Sequence, residues 1–131
     1  MPEKETLRKS RKAKAEGKAP TTQAGAFVEE EIKHVRQGKH GARSTKQAIA
    51  IGLQKARKAG VKLPPPEKGE TSERTRKSAK RAYAQGESGR RRKASAKRSR
   101  ATRTALKREG HSAASRKALS RQARTAARKR K

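Results

Sequence analysis

The excess of basic over acidic side chains is the feature of this sequence that most restricts what it can fold into. The chain has 131 residues with 40 Lys and Arg against 11 Asp and Glu, which gives a formal net charge of +29 at pH 7. Charge of one sign repels itself in a compact state, whereas basic side chains that neutralise the phosphates of DNA or RNA release bound counterions. We therefore expect a phosphate polymer as the partner, with the DNA backbone as the main target.

Apolar side chains are scarce. Hydrophobic residues make up 28% of the chain, and Phe27 and Tyr83 are its only aromatic residues. Globular domains usually contain roughly 45% apolar residues, so one sizeable core is excluded. The sequence also contains no cysteine, which excludes disulfides and thiolate metal sites.

No segment has the length or apolarity of a membrane span. The longest apolar run extends from Ala48 to Ile51, far below the roughly 18 residues that indicate a transmembrane helix. The first twelve residues, MPEKETLRKSRK, lack the apolar stretch of a signal peptide. We expect a soluble cytoplasmic protein, associated with the nucleoid and with no membrane partner.

Glycines recur at intervals that suit helix ends. Gly17, Gly38, Gly60, Gly86 and Gly110 each follow a stretch of helical composition, and glycine is favoured just after the last helical residue. No segment has the alternation of a strand. The sequence predicts an all-α protein with a small antiparallel helical hairpin as core and basic, partly disordered or fraying helical arms.

The hairpin is predicted between Thr21 and Leu63, where most large apolar side chains lie. A first helix from about Gln23 to Gln37 and a second from about Thr45 to Ala59 are joined by the short link GKHGARS. So short a link favours two antiparallel helices whose apolar stripes face each other. The stripes consist of Ala24, Phe27, Val28, Ile32 and Val35, and of Ala48, Ile49, Gly52, Leu53, Ala56 and Ala59.

Composition divides the chain into four parts. Residues 1–20 form a basic N-terminal arm, residues 21–63 the hairpin core, and residues 64–70 a proline-rich linker that begins with Pro64 to Pro66. Residues 71–131 form a C-terminal arm with 23 basic and 3 acidic residues, a net charge of +20. So polar an arm cannot fold by burying its own surface, and we expect it to become more helical on DNA.

Two local features of the second helix indicate how it begins and packs. Ser44 and Gln47 have the spacing of a capping box. Gly52 lies between Ala48 and Ala56, which predicts a flat strip where another helix approaches closely. A core this small usually needs an additional source of stability, and a homodimer through the core is one alternative. Ile51 falls on the polar side of the second helix, where it would contact the second protomer. Partial cover of Ile51 by Leu63 explains an apolar residue at this position almost as well.

The start of the second helix is a candidate phosphate site. The segment GKHGARSTK has glycines, a lysine and a Ser-Thr pair, but its spacing is not that of a nucleotide P-loop. A helix N-terminus attracts phosphate through its free backbone N–H groups. We expect Lys39, Arg43 and Lys46 to contact phosphate there; the alternative is a capped turn with solvated basic side chains.

The densest basic run of the C-terminal arm supplies the remaining candidate residues for nucleic-acid binding. They are Arg90, Arg91, Arg92, Lys93, Lys97, Arg98 and Arg100.

Catalysis is not expected. His34, His40 and His111 are scattered in the sequence without a matching set of carboxylates or thiolates. Glu31 falls within an apolar stripe, and we expect it to form a structural ion pair with Arg43 or Lys46. The sequence therefore predicts no catalytic residue, no cofactor and no metal site.

The string EEIKHVRQGKHGARSTKQAIAIGLQKARKAGVKLPPP resembles a family of small basic bacterial proteins with a domain of unknown function. Members of that family are often labelled plasmid stabilisation proteins. The resemblance implies a bacterial cytoplasmic protein, but it supplies no catalytic residue or cofactor. The C-terminal half is also similar in composition to the tails of linker histones and to bacterial histone-like proteins.

These observations favour a nucleoid-associated or plasmid-associated DNA-binding protein without enzymatic activity and largely without sequence preference. A protein that binds RNA or the ribosome is an alternative, because ribosomal extensions share this composition. An interaction partner in a plasmid maintenance system, covered by an acidic protein, is another.

Overall fold

The computed structural model describes residues 2–89 and 95–129, which form six α-helices and one short 3-10 helix. The α-helices are α1 (Lys4–Ala15), α2 (Pro20–Arg36), α3 (Thr45–Lys58), α4 (Glu73–Ser88), α5 (Ala96–Arg108) and α6 (Arg116–Lys129), and the 3-10 helix is Ser112–Ala114. These described ranges contain no strand, and one isolated backbone bridge joins Lys68 and Thr71. The all-α fold class is confirmed.

Helix ends follow local signals with two exceptions. Gly17, Gly38 and Gly60 have the positive φ angles expected after a helix, 75°, 76° and 100°. Gly86 instead lies inside α4, whose C-cap residue is Gly89 with φ of 68°. α5 ends two residues before Gly110, as α1 ends two residues before Gly17, but Gly110 lacks the positive φ angle of a left-handed cap. The prediction that Gly86 ends a helix is therefore wrong, and the prediction for Gly110 is correct for the position of the helix end but not for the cap conformation.

The predicted start is correct for one of the two core helices and wrong for the other. α3 begins at Thr45 as predicted, and Ser44 Oγ accepts a hydrogen bond from the Gln47 N–H at 3.2 Å. The Gln47 side chain reaches back to the Arg43 N–H at 2.6 Å, one residue earlier than in a standard capping box. α2 begins at Pro20, ahead of the predicted Gln23, because the fixed φ of proline suits the first helical position.

The chain divides into two compact units. The first comprises Met1–Glu30 and Ile51–Lys93, and its core contains Phe27, which is fully buried. A side chain at Gly52 would meet the Val28 Cα at 2.7 Å, so the predicted close approach of a helix at Gly52 is confirmed. The buried apolar residues of this core are Ala24, Phe27, Ala56, Val61 and Leu63, with Leu7 and Leu53 packed against them.

Helix α4 belongs to the first unit and also buries small side chains. Ala79 and Ala82 are 5% and 2% exposed. A Cβ atom at Gly86 would overlap the carbonyl oxygen of Arg57, so the absence of a side chain lets the α4 backbone lie against the end of α3. This close approach, and not a helix end, is the structural reason for glycine at position 86.

The second unit comprises Glu31–Ala50 and Ala94–Lys131. Its core consists of Val35, Ala42, Ala48, Ala113 and Ala114, with Ile32 packed against it. Two hydrogen bonds hold the 3-10 helix in place: Thr45 Oγ1 donates to the Ala113 carbonyl at 2.6 Å, and Arg36 Nε donates to the Ala114 carbonyl at 2.8 Å. Part of the C-terminal region thus contributes to a core, which the charge count did not indicate.

The helical hairpin, the disordered arms and the limits of the four sequence segments stay predictions. Among the residues with a described structure, no helix combines the length and apolarity needed to cross a membrane.

Candidate nucleic-acid interface

Helices α5 and α6 carry only positive formal charge. Each contains six basic residues and no acidic one, and every one of these twelve side chains is exposed. The basic residues of α5 are Lys97, Arg98, Arg100, Arg103, Lys107 and Arg108, and those of α6 are Arg116, Lys117, Arg121, Arg124, Arg128 and Lys129.

Local interactions explain why two such basic segments are helical. Ser95 Oγ accepts a hydrogen bond from the Arg98 N–H at 3.1 Å at the start of α5. Ser115 Oγ accepts from the Ala118 N–H, also at 3.1 Å, at the start of α6. Serine caps satisfy one of the free N–H groups of a helix N-terminus, and the alanines between the charges have the highest intrinsic helix propensity.

Four basic residues form a stripe along α6. Lys117, Arg121, Arg124 and Arg128 are spaced by four, three and four positions, so they lie on one face of the helix. Leu119 and Ala126 are partly buried and lie on the opposite side at 100° per residue. Because that side of α6 is partly buried, the four basic side chains face solvent. We call these four residues the α6 stripe.

The basic side chains of α5 and α6 keep their charge uncompensated within the described part of the chain. No carboxylate there lies within 4.0 Å of any of the twelve, whereas Lys9, Arg43 and Arg76 do have acidic partners. A surface with this much uncompensated positive charge attracts a polyanion.

The predicted core phosphate residues lie beside the start of α3. Lys39, Arg43 and Lys46 are all exposed. Arg43 Nε lies 4.0 Å from Glu109 Oε1, with 81% of the Arg43 side chain exposed, so this ion pair is weak. The Ser44 and Gln47 side chains already use two of the backbone N–H groups at this end, which leaves fewer of them for phosphate.

A backbone connection that the sequence does not indicate joins this loop to α5. The Gly41 N–H donates to the Leu106 carbonyl at 2.8 Å, and the Ala42 N–H donates to the Gly110 carbonyl at 3.0 Å. A Cβ atom at Gly41 would overlap the carbonyl oxygen of Glu109. The loop that carries Lys39 and Arg43 therefore lies against the C-terminal end of α5, which carries Lys107 and Arg108.

Of the predicted residues on the C-terminal arm, Lys97, Arg98 and Arg100 are exposed in the first turns of α5. Arg90, Arg91, Arg92 and Lys93 lie outside the described residues. The α6 stripe is not among the site residues predicted from the sequence, although its spacing of four, three and four is visible there.

Glu31 is fully buried in the second unit and has histidine partners. Its Oε2 lies 3.2 Å from His40 Nε2, and its Oε1 lies 3.9 Å from His34 Nδ1. Arg43, which with Lys46 was one of the two ion-pair partners expected for Glu31 from the sequence, lies instead beside Glu109. The fold thus brings together two of the three histidines that are scattered in the sequence, and adds a carboxylate between them.

Comparison with known proteins identifies one region of similarity. The model of a family of unknown function (DUF6496) matches residues 21–68, which is less than half of the chain. The resemblance to a domain of unknown function is confirmed for that region. No curated protein and no solved structure matches the sequence.

Proposed function

We propose that this protein binds nucleic acid without catalysing a reaction, and that it prefers duplex DNA and is largely indifferent to base sequence. Its place in the cell would be the bacterial nucleoid or a plasmid. The observation that carries the proposal is the pair of helices α5 and α6, whose twelve basic side chains are all exposed and have no acidic residue among them.

The length of the α6 stripe suits a phosphate backbone. Lys117 and Arg128 are eleven positions apart, which is about 16 Å along a helix at 1.5 Å per residue. Duplex DNA carries one negative charge per about 1.7 Å of its axis, so about ten phosphates lie along that distance. Each basic side chain of the α6 stripe can therefore face a phosphate wherever the helix lies along the duplex.

The composition of the two helices supports binding that does not depend on base sequence. Direct readout of base edges uses Arg, Asn and Gln side chains held rigidly toward the groove. α5 and α6 contain no Asn and one Gln, and Gln122 is partly buried away from the α6 stripe. Their eight arginines are exposed, and no carboxylate of the described chain lies within 4.0 Å to hold them rigidly toward a base edge. Contacts to phosphate position a protein on the duplex without reading its sequence.

The test is a salt titration of duplex binding by the full chain and by two variants of equal charge. The first variant carries Lys117→Gln, Arg121→Gln, Arg124→Gln and Arg128→Gln. The second carries Lys4→Gln, Arg8→Gln, Arg11→Gln and Lys12→Gln, four exposed basic residues of α1. Both lose four charges, so they separate a binding face from net charge.

We expect the stripe variant to lower the slope of log K against log salt by about 3 to 4, at roughly 0.9 per lost phosphate contact. The α1 variant should change it by less than half as much. Equal changes in the two variants would show that net charge alone binds the duplex and would contradict an interface on α6.

Two further titrations test the kind of nucleic acid. Two duplexes of unrelated sequence should bind with the same affinity within a factor of about three, as expected for phosphate contacts. A structured RNA should compete less well than duplex DNA. An RNA preference of tenfold or more would favour the alternative of a protein that binds RNA or the ribosome.

A further inference from the structure

One group of side chains in the second unit is not explained by nucleic-acid binding. Glu31, His34 and His40, which we call the Glu31 cluster, each offer a ligand atom, and these three atoms lie within 4.8 Å of one another. The Glu31 side chain is 0% exposed, and those of His34 and His40 are 13% and 16% exposed. Polar side chains of this kind are rarely so buried without a partner of opposite charge.

The elements of the fold account for the position of each side chain. Glu31 and His34 are three residues apart on α2, which places them on the same face of the helix. His40 comes from the loop between α2 and α3, and its ring lies at 81° to that of His34 with the centroids 6.0 Å apart. The three side chains therefore converge from a helix and a loop.

The hydrogen bonds of His40 determine which of its nitrogens faces Glu31. His40 Nδ1 lies 2.9 Å from the Gly41 carbonyl oxygen, and because a carbonyl only accepts, Nδ1 carries the proton. In a neutral imidazole the other nitrogen, Nε2, then has a lone pair, and it lies 3.2 Å from Glu31 Oε2. Two electron-rich atoms at this distance in a buried site need a cation between them, either a proton or a metal ion.

We propose that the Glu31 cluster binds a divalent transition-metal ion, with Zn²⁺ as the best match. Two imidazole nitrogens and one carboxylate oxygen are ligands that Zn²⁺ takes at about 2.0–2.2 Å, and tetrahedral coordination at that length separates ligand atoms by about 3.3 Å. Glu31 Oε2 lies 3.2 Å from His40 Nε2, which is close to this value, and the other oxygen, Oε1, lies 3.9 Å from His34 Nδ1. Ca²⁺ and Mg²⁺ prefer a shell of oxygen ligands and do not fit two imidazoles.

The surroundings of His40 resemble the outer shell of a metal site. Histidines that ligate a metal commonly donate their second N–H to a carbonyl or carboxylate, which fixes the ring and its tautomer. Gly41 accepts that bond from His40, and its own N–H is held by the Leu106 carbonyl at 2.8 Å. The metal would thus connect α2 to the loop before α3, and the loop is itself held against α5.

Three protein ligands leave a fourth position for water, as in catalytic zinc sites. The cluster is largely buried and joins a helix to a loop, so we assign the ion a structural role. It would stabilise the second unit and fix the loop that carries Lys39 and Arg43. No metal was expected from the sequence, because the spacing of Glu31 and His40 along the chain does not indicate that their side chains meet. This inference is independent of the proposed function.

Metal binding is tested with the full chain, without a histidine tag, after nuclease treatment and a high-salt wash to remove bound nucleic acid. Calorimetry with Zn²⁺ should give one equivalent, and Co²⁺ should give the visible absorption bands of a tetrahedral site, which Zn²⁺ then removes. His34→Ala with His40→Ala should weaken Zn²⁺ binding by at least about 100-fold, the upper range for loss of an outer-shell partner. His111→Ala is the matched control, because His111 is exposed and lies outside the cluster.

A second readout applies if the double variant does not fold. Zn²⁺ should raise the melting temperature of the wild-type chain and of His111→Ala, but not that of His40→Ala, which removes only the loop ligand. Absence of Zn²⁺ binding by the wild-type chain would overturn the proposal and leave an imidazolium–carboxylate pair at this position. Equal binding by wild type and the His40→Ala variant would also overturn it, because the ion would then bind elsewhere.

Discussion

The guanidinium of Arg57 donates a hydrogen bond from Nε to the carbonyl oxygen of Leu63 at 3.2 Å. A second bond runs from Nη2 to the Pro64 carbonyl at 3.0 Å. Arg57 is 8% exposed, and its burial lowers the pKa of the guanidinium below its usual value. This side chain therefore fixes the path of the chain after α3, where neither Leu63 nor Pro64 has a strand or helix to satisfy its carbonyl.

Arg57→Lys should destabilise the protein, although it keeps the charge. A lysine ammonium cannot reproduce the two-donor geometry of a guanidinium, and hydrogen bonds to charged groups contribute about 1.5–3 kcal/mol each. We expect a loss of about 2 kcal/mol in the free energy of unfolding, measured by urea denaturation followed by circular dichroism. Lys58→Ala, at an exposed neighbouring position, should stay within about 0.5 kcal/mol of wild type. Equal stability of Arg57→Lys and wild type would mean that the two bonds are not formed in solution.

The two glycines inside α2 and α3 should respond in opposite directions to alanine. A Cβ atom at Gly25 meets nothing within 4 Å, so Gly25→Ala should stabilise the protein by about 0.5–1 kcal/mol through helix propensity. A Cβ atom at Gly52 would lie 2.7 Å from the Val28 Cα, and we expect Gly52→Ala to destabilise it by about 1–3 kcal/mol. Thermal unfolding of both variants tests this, and a stabilised Gly52→Ala protein would contradict the close packing of Gly52 against Val28.

The ionisation of Tyr83 should depend on Glu87. The hydroxyl donates a hydrogen bond to the Glu87 carboxylate, and this bond, followed by desolvation and the negative charge of Glu87, raises the pKa of Tyr83 above its usual 10.0. A raised pKa in the folded state means that the stabilisation is present below pH 10 and is lost as the pH rises through the folded pKa.

Glu87→Gln should lower the pKa of Tyr83 toward 10.0. Because the chain has one tyrosine and no tryptophan, ultraviolet absorption of tyrosinate reports this residue alone. Glu73 lies on the same helix, but its carboxylate pairs with Arg76. Glu73→Gln should therefore leave the titration of Tyr83 unchanged. An identical titration for Glu87→Gln and wild type would contradict an effect of the Glu87 carboxylate on Tyr83.

Substitutions at two nearby apolar positions on α3 should distinguish an effect on folding from an effect on self-association. Leu53 packs against the core of the first unit, so Leu53→Asp should unfold it, because an ionised carboxylate cannot be buried unpaired. Ile51 is partly exposed and lies outside both core clusters, so Ile51→Asp should leave the fold intact and weaken any homodimer of the kind given above as one alternative. Sedimentation and circular dichroism measure the two effects; an unfolded Ile51→Asp protein would show that Ile51 belongs to the core.

Local signals predicted the elements that depend on neighbouring residues. The start of α3 at Thr45 followed from Ser44 and Gln47, which act within four positions of each other. The close approach at Gly52 followed from its place in an apolar stripe of a helix. In both instances the sequence signal lies within one or two helical turns of the residue, although the backbone that approaches Gly52 is that of Val28, 24 positions earlier.

Contacts between distant segments were not predictable from the same signals. The residues around Gly86 have the composition of a helix end. The structural reason for a glycine at this position is instead the close approach of the Arg57 backbone, 29 positions earlier. Ala113 and Ala114 are buried among exposed basic residues, and alanine has no periodic pattern that would distinguish a buried copy from a solvent-facing one. The Glu31 cluster depends on the turn of the loop between α2 and α3, which sequence spacing alone does not give.

The hydrogen bond from Arg36 to the Ala114 carbonyl spans 78 positions, and it has a consequence for the order in which the chain folds as it leaves the ribosome. Closing a flexible loop of that length costs about 4 kcal/mol of chain entropy before any contact compensates for it. The first unit contains no residue beyond position 93, whereas the second unit includes residues 94–131. Val35 and Ala48 are therefore synthesised long before Ala113 and Ala114 can cover them, and a nascent chain released before that point would expose them to solvent.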